Sequence, residues 1–436
     1  MNRYQLYLNV ICHPFKKLCK IDFLQPDNSV AFSLDNNYQK SIQSRYDSRA
    51  FIQSGSLNVA LQNGQRRTAT ITLSNLDSAF DYSVNKIWYG KRVRLSMGCV
   101  LPDGTDFYIP QGVFYFKNPK NTFLPNLKEI SYSLVDKWSY LDGSLFGLLP
   151  YSYEVFPDTN IFEAMQSILR WSIFDLTSET SDPLKMLDNI PPVFTDYYNN
   201  LPDLEYVYTP PGATNTVTKV VKSNETAFTT RVEMGRPASE LLLGLNQNIV
   251  GLIGYDPTGA LRVEPSQEDV LDSEKPVLWN FSPKNSLLLG YTDASQPTSV
   301  FNDVIIAGQG LNDEIVWGRA TNYDPLSDTN VNLIGQKTYK DTKSDFWNKQ
   351  QCVDYAKWIL KRKTILQKSV SISSSQMFHL LENRLISIQR TDKLGAPVEK
   401  HLIQSFSIPI GETGNMTINA ISVNDLPNLS TTLSNS

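Results

Sequence analysis

At 436 residues and 49.3 kDa the chain is long enough for several domains. Its net charge of -4 lacks the basic excess of a nucleic-acid binder. The four cysteines, Cys12, Cys19, Cys99 and Cys352, form no CxxC pair, which argues against a disulfide framework, and no stretch approaches the roughly 18–20 apolar residues of a membrane span.

The first residues, MNRYQLYLNVICHPFKK, lack the length and cleavage site of a signal peptide, so early residence in the cytoplasm of the producing cell is expected. Residues 1–148 read as a β-domain. Leu57, Val59 and Leu61 alternate, Asn63-Gly64 turns, and Ala69, Ile71 and Leu73 alternate again, which is a hairpin signature. Thr70 and Thr72 then point away from the core, and Asp77 and Asp81 beyond them read as turn formers. Val93, Leu95, Met97 and Cys99 alternate, Pro102-Asp103-Gly104 turns, and FYIPQGVFYF returns. Ile130, Tyr132 and Leu134 make another strand. Many short strands joined by tight turns suggest a barrel or a sandwich.

Residues 149–236 are mixed. NIFEAMQSILRW predicts a helix with Asn160 as N-cap and Phe162, Met165, Ile168 and Leu169 on one face. The Pro- and Tyr-rich stretch IPPVFTDYYNNLPDLEYVYTPPGATN predicts irregular structure or a long insertion. Residues 237–297 predict a helix from Pro237, a strand, a turn at Asp256-Pro257-Thr258-Gly259, and a strand from Leu261 to Val263. Residues 298–424 predict a second β-domain. Its one amphipathic helix carries Cys352, Tyr355, Ala356, Ile359 and Leu360, with Ser344 as N-cap. Asp392–Gly395 reads as a turn, and the tail 425–436 as mobile. The first and last domains share a style, but no residue-by-residue repeat is visible.

The sequence has no H-E-x-x-H, G-x-S-x-G, P-loop or strand-to-helix GxGxxG. His13 lies between Cys12 and Cys19 without a diagnostic metal spacing. His379 and His401 read as packing or surface residues. Asp136 and Asp142 flank Trp138, a pattern compatible with a sugar hydrolase but equally with turns and caps. On the second reading Asp136→Asn and Asp142→Asn leave folding intact. The basic clusters Arg66-Arg67, Lys91-Arg92-Arg94 and Lys361-Arg362-Lys363 read as solvated faces. No catalytic, cofactor-binding or metal residue is assigned, and no enzyme activity is expected.

RRTATITLSNLDSAFDYS, IWYGKRVRLSMG and IPQGVFYF resemble the first barrel of bacteriophage tail hub proteins. PASELLLGLNQNIVGLIGYDPTGALRVEP resembles their helix and hairpin, and NDVIIAGQG, GRATNYDPLSDTNVNLIGQKTY, CVDYAKWIL and HLIQSFSIPIGETGNMTINAIS their closing barrel. The resemblance covers residues 51–148 and 237–424. It implies a mainly β chain with an α+β middle, two β-barrel domains flanking smaller α/β domains. It further implies a homotrimer at the tail tip or baseplate of the virion, assembled in the host cytoplasm. The implied partners are a distal tail or tail tube protein, the tape measure protein, and a separate spike, fibre or lysin. Ejected DNA would pass through without sequence-specific binding. The competing readings are a cell-wall or polysaccharide hydrolase of the tail tip and a carbohydrate-binding adhesin using the tyrosines of 197–208.

Overall fold

The computed structural model describes residues 2–36, 51–75, 78, 80, 91–125, 127–145, 147–170, 190–200, 203–210, 212–227, 229–267, 276–282, 287–295, 300–309, 315–343, 346, 349–364, 368–389, 398–411 and 414–423. Asp77, Asp81, Ser344, the Asp392–Gly395 turn and the tail lie outside them.

Helix α1 (Arg3–Val10) opens the chain, capped by the Asn2 side chain accepting from the Gln5 N–H. Seven strands follow: β1 (Lys17–Leu24), β2 (Val30–Asp35), β3 (Ile52–Ala60), β4 (Arg67–Ser74), β5 (Arg92–Val100), β6 (Asp106–Leu124) and β7 (Leu127–Asp136). The alternation read from Leu57–Leu73 holds for Leu57, Val59, Ala69, Ile71 and Leu73, which are buried, whereas Leu61 lies just past the end of β3 and is half-buried. The Asn63-Gly64 turn does more than reverse the chain. Gly64 takes a φ of 99° and donates its N–H to the Ile253 carbonyl, while Asn63 Oδ1 accepts from the Ile253 N–H. The first hairpin is thereby docked on the middle of the molecule.

The middle holds β8 (Tyr153–Val155), helix α2 (Ile161–Arg170), β9 (Val193–Phe194), β10 (Leu204–Tyr208), β11 (Val217–Val221), β12 (Thr230–Val232), helix α3 (Ala238–Ile249), β13 (Leu252–Tyr255) and β14 (Leu261–Glu264). Asn160 caps α2 by accepting from the Phe162 and Glu163 N–H groups, and Phe162, Met165, Ile168 and Leu169 pack inward with Leu241, Leu245 and Ile253. Pro237 stands just before α3 rather than in it. The Pro- and Tyr-rich stretch is partly ordered. β9 adds in parallel to β14, a 3-10 turn spans Asp196–Asn200, and β10 and β11 form a hairpin. Strands this short, set among prolines, give no readable alternation.

The last part comprises β15 (Val277–Phe281), β16 (Leu288–Ser295), β17 (Asp303–Gln309), β18 (Ile315–Thr321), the short helix α4 (Val331–Ile334), β19 (Thr338–Lys343), helix α5 (Lys349–Lys363), β20 (Lys368–Ser374), β21 (Leu385–Gln389), β22 (Val398–Ile410) and β23 (Met416–Ser422). β17–β19 form their own three-stranded sheet, on which α5 lays Cys352, Ala356 and Leu360. Gly318 permits that approach, since a Cβ there would collide with the Val353 backbone nitrogen.

The remaining strands form one 13-stranded sheet that draws on both ends of the chain, in the order β16-β20-β23-β22-β3-β4-β7-β6-β5-β1-β2, with β21 and β15 branching from β22. It contains an internal repeat. In each half the first, second, last and third strands lie side by side: β3-β4-β7-β6 and β16-β20-β23-β22. Each long third strand carries a further antiparallel strand, β5 on β6 and β21 on β22. Each first strand has a register shift at its start, at Ile52/Ser54 and at Leu288/Gly290. Aligning those shifts sets Thr68-Ala69-Thr70-Ile71-Thr72 on Ser369-Val370-Ser371-Ile372-Ser373, hydroxyl on hydroxyl and apolar on apolar. A single apolar core spans both halves, from Ile71 and Leu134 to Ile372 and Ile418.

Candidate functional site

The two repeats join where Ser405 to Ile410 of β22 run antiparallel to Ala60 to Gly55 of β3. Next to this seam lies a buried charge cluster. Arg66 and Arg67 are only 3% and 1% exposed, correcting their reading as a solvated face. The Arg67 guanidinium donates to the Glu382 carboxylate, the Gln111 carbonyl at 3.0 Å and the Tyr255 carbonyl at 3.4 Å. Those acceptors belong to the second repeat, the first repeat and the middle. Arg66 lies 3.8 Å from the same carboxylate and donates to the Gln62 carbonyl at 2.9 Å. Burial lowers the Arg66 pKa, and the charges of Glu382 and Glu264 oppose that shift. Arg384 and Asn383 close on Glu264 at 2.8 and 3.0 Å. Burial pushes the Glu264 carboxyl up, but the hydrogen bonds and charge of Arg384 prevail and hold it below its usual range. The cluster thus ties three parts of the chain through charge-assisted bonds.

The seam has an unmatched counterpart. Among the described residues β6 pairs with β5 only from Asp106 to Tyr115, and its far half, Lys117–Leu124, pairs with β7 on one side alone. Among the described residues β16, at the opposite end of the repeats, pairs only with β20. By the alignment of the repeats, the far half of β6 corresponds to the far half of β22, and β16 corresponds to β3. One copy therefore presents, as two separate open edges, both strands of the joint that it has already made once internally. Phe123, Leu124 and Leu289 on these edges are 56%, 57% and 56% exposed.

The carboxylates weighed for hydrolysis are differently engaged. Asp136 is buried and accepts from the main-chain N–H groups of Arg66 and Arg67, each at 2.8 Å, and of Trp138 at 3.1 Å. Burial pushes its carboxyl up to about 6, while these donors pull it down. Trp138 is buried, with its indole nitrogen 3.0 Å from the Cβ position of Gly64, and offers no exposed platform for a sugar. Asp142 accepts from the Ser144 N–H in a local turn. The expectation that Asp136→Asn leaves folding intact is corrected by this geometry. An amide cannot accept with both of its polar atoms, so a buried N–H is left facing an NH2 group. A loss of about 1–3 kcal/mol in denaturant unfolding is expected, with Asp142→Asn near the parent.

Among the described residues no group of three His, Cys, Asp or Glu side chains is placed to hold a metal. The Cys12 thiol donates to the Leu8 carbonyl, and Cys19 is buried on β1. His379 Nδ1 lies 3.0 Å from the Tyr7 hydroxyl, which accepts from the Phe378 N–H and so donates to the ring, fixing α1 to the second repeat. Burial lowers the His379 pKa to about 4, keeping the ring neutral. His401 is buried on β22. Tyr197 and Tyr198 line a cavity of about 440 Å³ together with Gln247, Asp354, Tyr355 and Trp358.

No protein-family model matches the chain, and no curated protein matches it in sequence. Solved structures match it closely in extent. A tail protein from Neisseria meningitidis superposes with a TM-score of 0.56 at 10% identity, over 94% of this chain and 99% of the other. The 43 kDa tail protein of prophage MuSo2 from Shewanella oneidensis gives a TM-score of 0.53 at 11% identity, over 94% of this chain and 100% of the other. The chain has the fold of a phage tail protein. The mainly β character of the chain agrees with that fold. At these identities the likeness concerns fold, and the open edges and the buried cluster are features of this sequence.

Proposed function

We propose that the chain is a structural, non-catalytic subunit of a phage tail tip or baseplate, a homotrimeric hub. Each chain contributes two barrel-like β-domains, one per repeat, the second opening at β16, with the α/β elements from β8 to β14 between them. Three copies then carry six repeats, a ring that meets the sixfold tail tube above and a threefold spike or fibre below. The distal tail or tube protein, the tape measure protein and a separate spike, fibre or lysin are its neighbours in the virion, and the ring gates the DNA ejection channel. One observation carries this reading: the internal β22–β3 joint and the two open edges that reproduce its halves. Pairing the far half of β6 with β16 of the next copy repeats that joint, and the same step taken three times closes the ring. The commitment of Asp136 to main-chain donors supports the absence of catalysis.

The register is specific enough to test. Pro409 pairs with Ser56 at the internal joint, and the equivalent pair is Thr122 with Thr292 of the next copy. Facing residues in an antiparallel pair stand roughly 4.5–5.5 Å apart at Cα, within disulfide range. Thr122→Cys combined with Thr292→Cys is expected to give a covalent trimer on oxidation, and neither single variant does. Absence of cross-linking in the double variant, or a covalent dimer that goes no further, contradicts the ring.

A further inference from the structure

The cavity of about 440 Å³ lies between the middle of the molecule and helix α5, and none of its described lining residues belongs to the seam or to the open edges. One wall is the Asp196–Asn200 turn with the end of α3, which bring Tyr197, Tyr198 and Gln247. The other is α5, which brings Asp354, Tyr355 and Trp358. Both walls are held from behind. Tyr198 is 1% exposed, its ring packs on Phe162 with centroids 5.8 Å apart, and its carbonyl accepts from the Ser223 hydroxyl at 2.8 Å. Tyr197 meets Tyr198 edge to face at 5.3 Å. On α5, Tyr355 and Trp358 stack at 5.4 Å, and Gln350 Nε2 donates to both Asp354 oxygens at 3.0 Å. Tyr197, Tyr355 and Trp358 are half-buried, so solvent still reaches these rings.

The volume falls within the roughly 300–1,000 Å³ of small-molecule pockets, which favour such junctions between parts of a fold. The lining narrows the ligand. Among the described residues Lys361 is the one cation on the wall, set against Glu205 and Asp354, so a phosphate or carboxylate gains little. Asp354 is already engaged by Gln350 and by Lys357 at 3.5 Å, which blunts its pull on a cationic ligand. A purely apolar ligand would leave Gln247 Oε1, buried and without a hydrogen-bond partner, still unsatisfied. The ligand that answers all three is a neutral ring with C–H groups on its face and hydroxyls round its rim. The aromatic rings take the face. The side-chain amides of Gln247, Asn248 and Gln351, each both donor and acceptor, take the rim. We propose that this cavity is a binding site for a small neutral saccharide. It is built within one copy of the chain and does not depend on the ring.

Saturation-transfer NMR on the full chain tests the proposal, with glucose, galactose, rhamnose and N-acetylglucosamine as probes beside cyclohexanol and tetramethylammonium. At least one of the sugars is expected to bind with about millimolar affinity, as so small a ligand allows, and to receive most transfer at the protons of one ring face. Tyr197→Ala and Gln247→Leu are each expected to weaken that sugar about tenfold. Tyr151→Ala, which removes a tyrosine 59% exposed outside the cavity, leaves the affinity unchanged. An unfolding midpoint equal to the parent's shows that a variant keeps its fold, and if Tyr197→Ala lowers it, Gln247→Leu decides. Absence of transfer to all four sugars in the parent, or binding that a folded variant does not weaken, overturns the assignment. So does tighter binding of cyclohexanol, which would mark an apolar void, or of tetramethylammonium, which would mark a cage for cations.

Discussion

Ile71→Asp is expected to yield insoluble or unfolded protein, whereas Thr70→Asp, one residue away, folds. Ile71 is fully buried at the centre of β4, paired with Gly55 on β3 and Tyr132 on β7. It sits in the one apolar core that both repeats share, so its environment cannot relax by separating a small domain. A carboxylate there must be buried without a partner, or the strand must slip by one residue and turn every side chain to the wrong face. Either cost is large against a stability of roughly 5–15 kcal/mol. Thr70 is exposed and gives up only its bond to Ser56. Solubility and denaturant unfolding of the two variants decide the matter: Ile71→Asp with parental stability would show that the facing of β4 is wrong.

Glu382→Gln is the second large effect expected. It removes the charge that faces Arg66 and Arg67, whose side chains are both 1% exposed. Breaking a buried pair from one side leaves an uncompensated charge and costs about 3–5 kcal/mol. Because Arg67 also holds carbonyls of β6 and β13, the loss should loosen the seam and the contact with the middle together. The exposed pair Arg231–Glu233 provides the comparison, and Glu233→Gln is expected to leave the unfolding midpoint unchanged. Equal midpoints for Glu382→Gln and the parent would remove the cluster from the account of how the parts are joined.

Local pattern carried much of the fold. The alternation through Ile71, the Asn160 cap and the Asp256 turn, where the Asp256 side chain accepts from Thr258 and Ala260, are each set by neighbours in sequence. The repeat was not legible because residues 296–367, with their separate sheet and α5, interrupt the second copy between its first two strands, while the first copy joins the same strands by a tight turn. The strand β16, grouped by sequence with the preceding hairpin, opens that second repeat. The role of Arg66 and Arg67 was hidden for a related reason. Their partner Glu382 is 315 residues from Arg67, and nothing local separates two buried arginines from two solvated ones. Asp136 showed the opposite failure, since its proximity to Trp138 suggested a site where the backbone needed an acceptor.

The most direct measurement is the copy number and symmetry of this chain in purified tail tips, from averaged electron images. The account predicts one ring of three copies, threefold in the chain and nearly sixfold in its β-repeats. A ring of two, four or six copies, or a single copy at the tip, contradicts it.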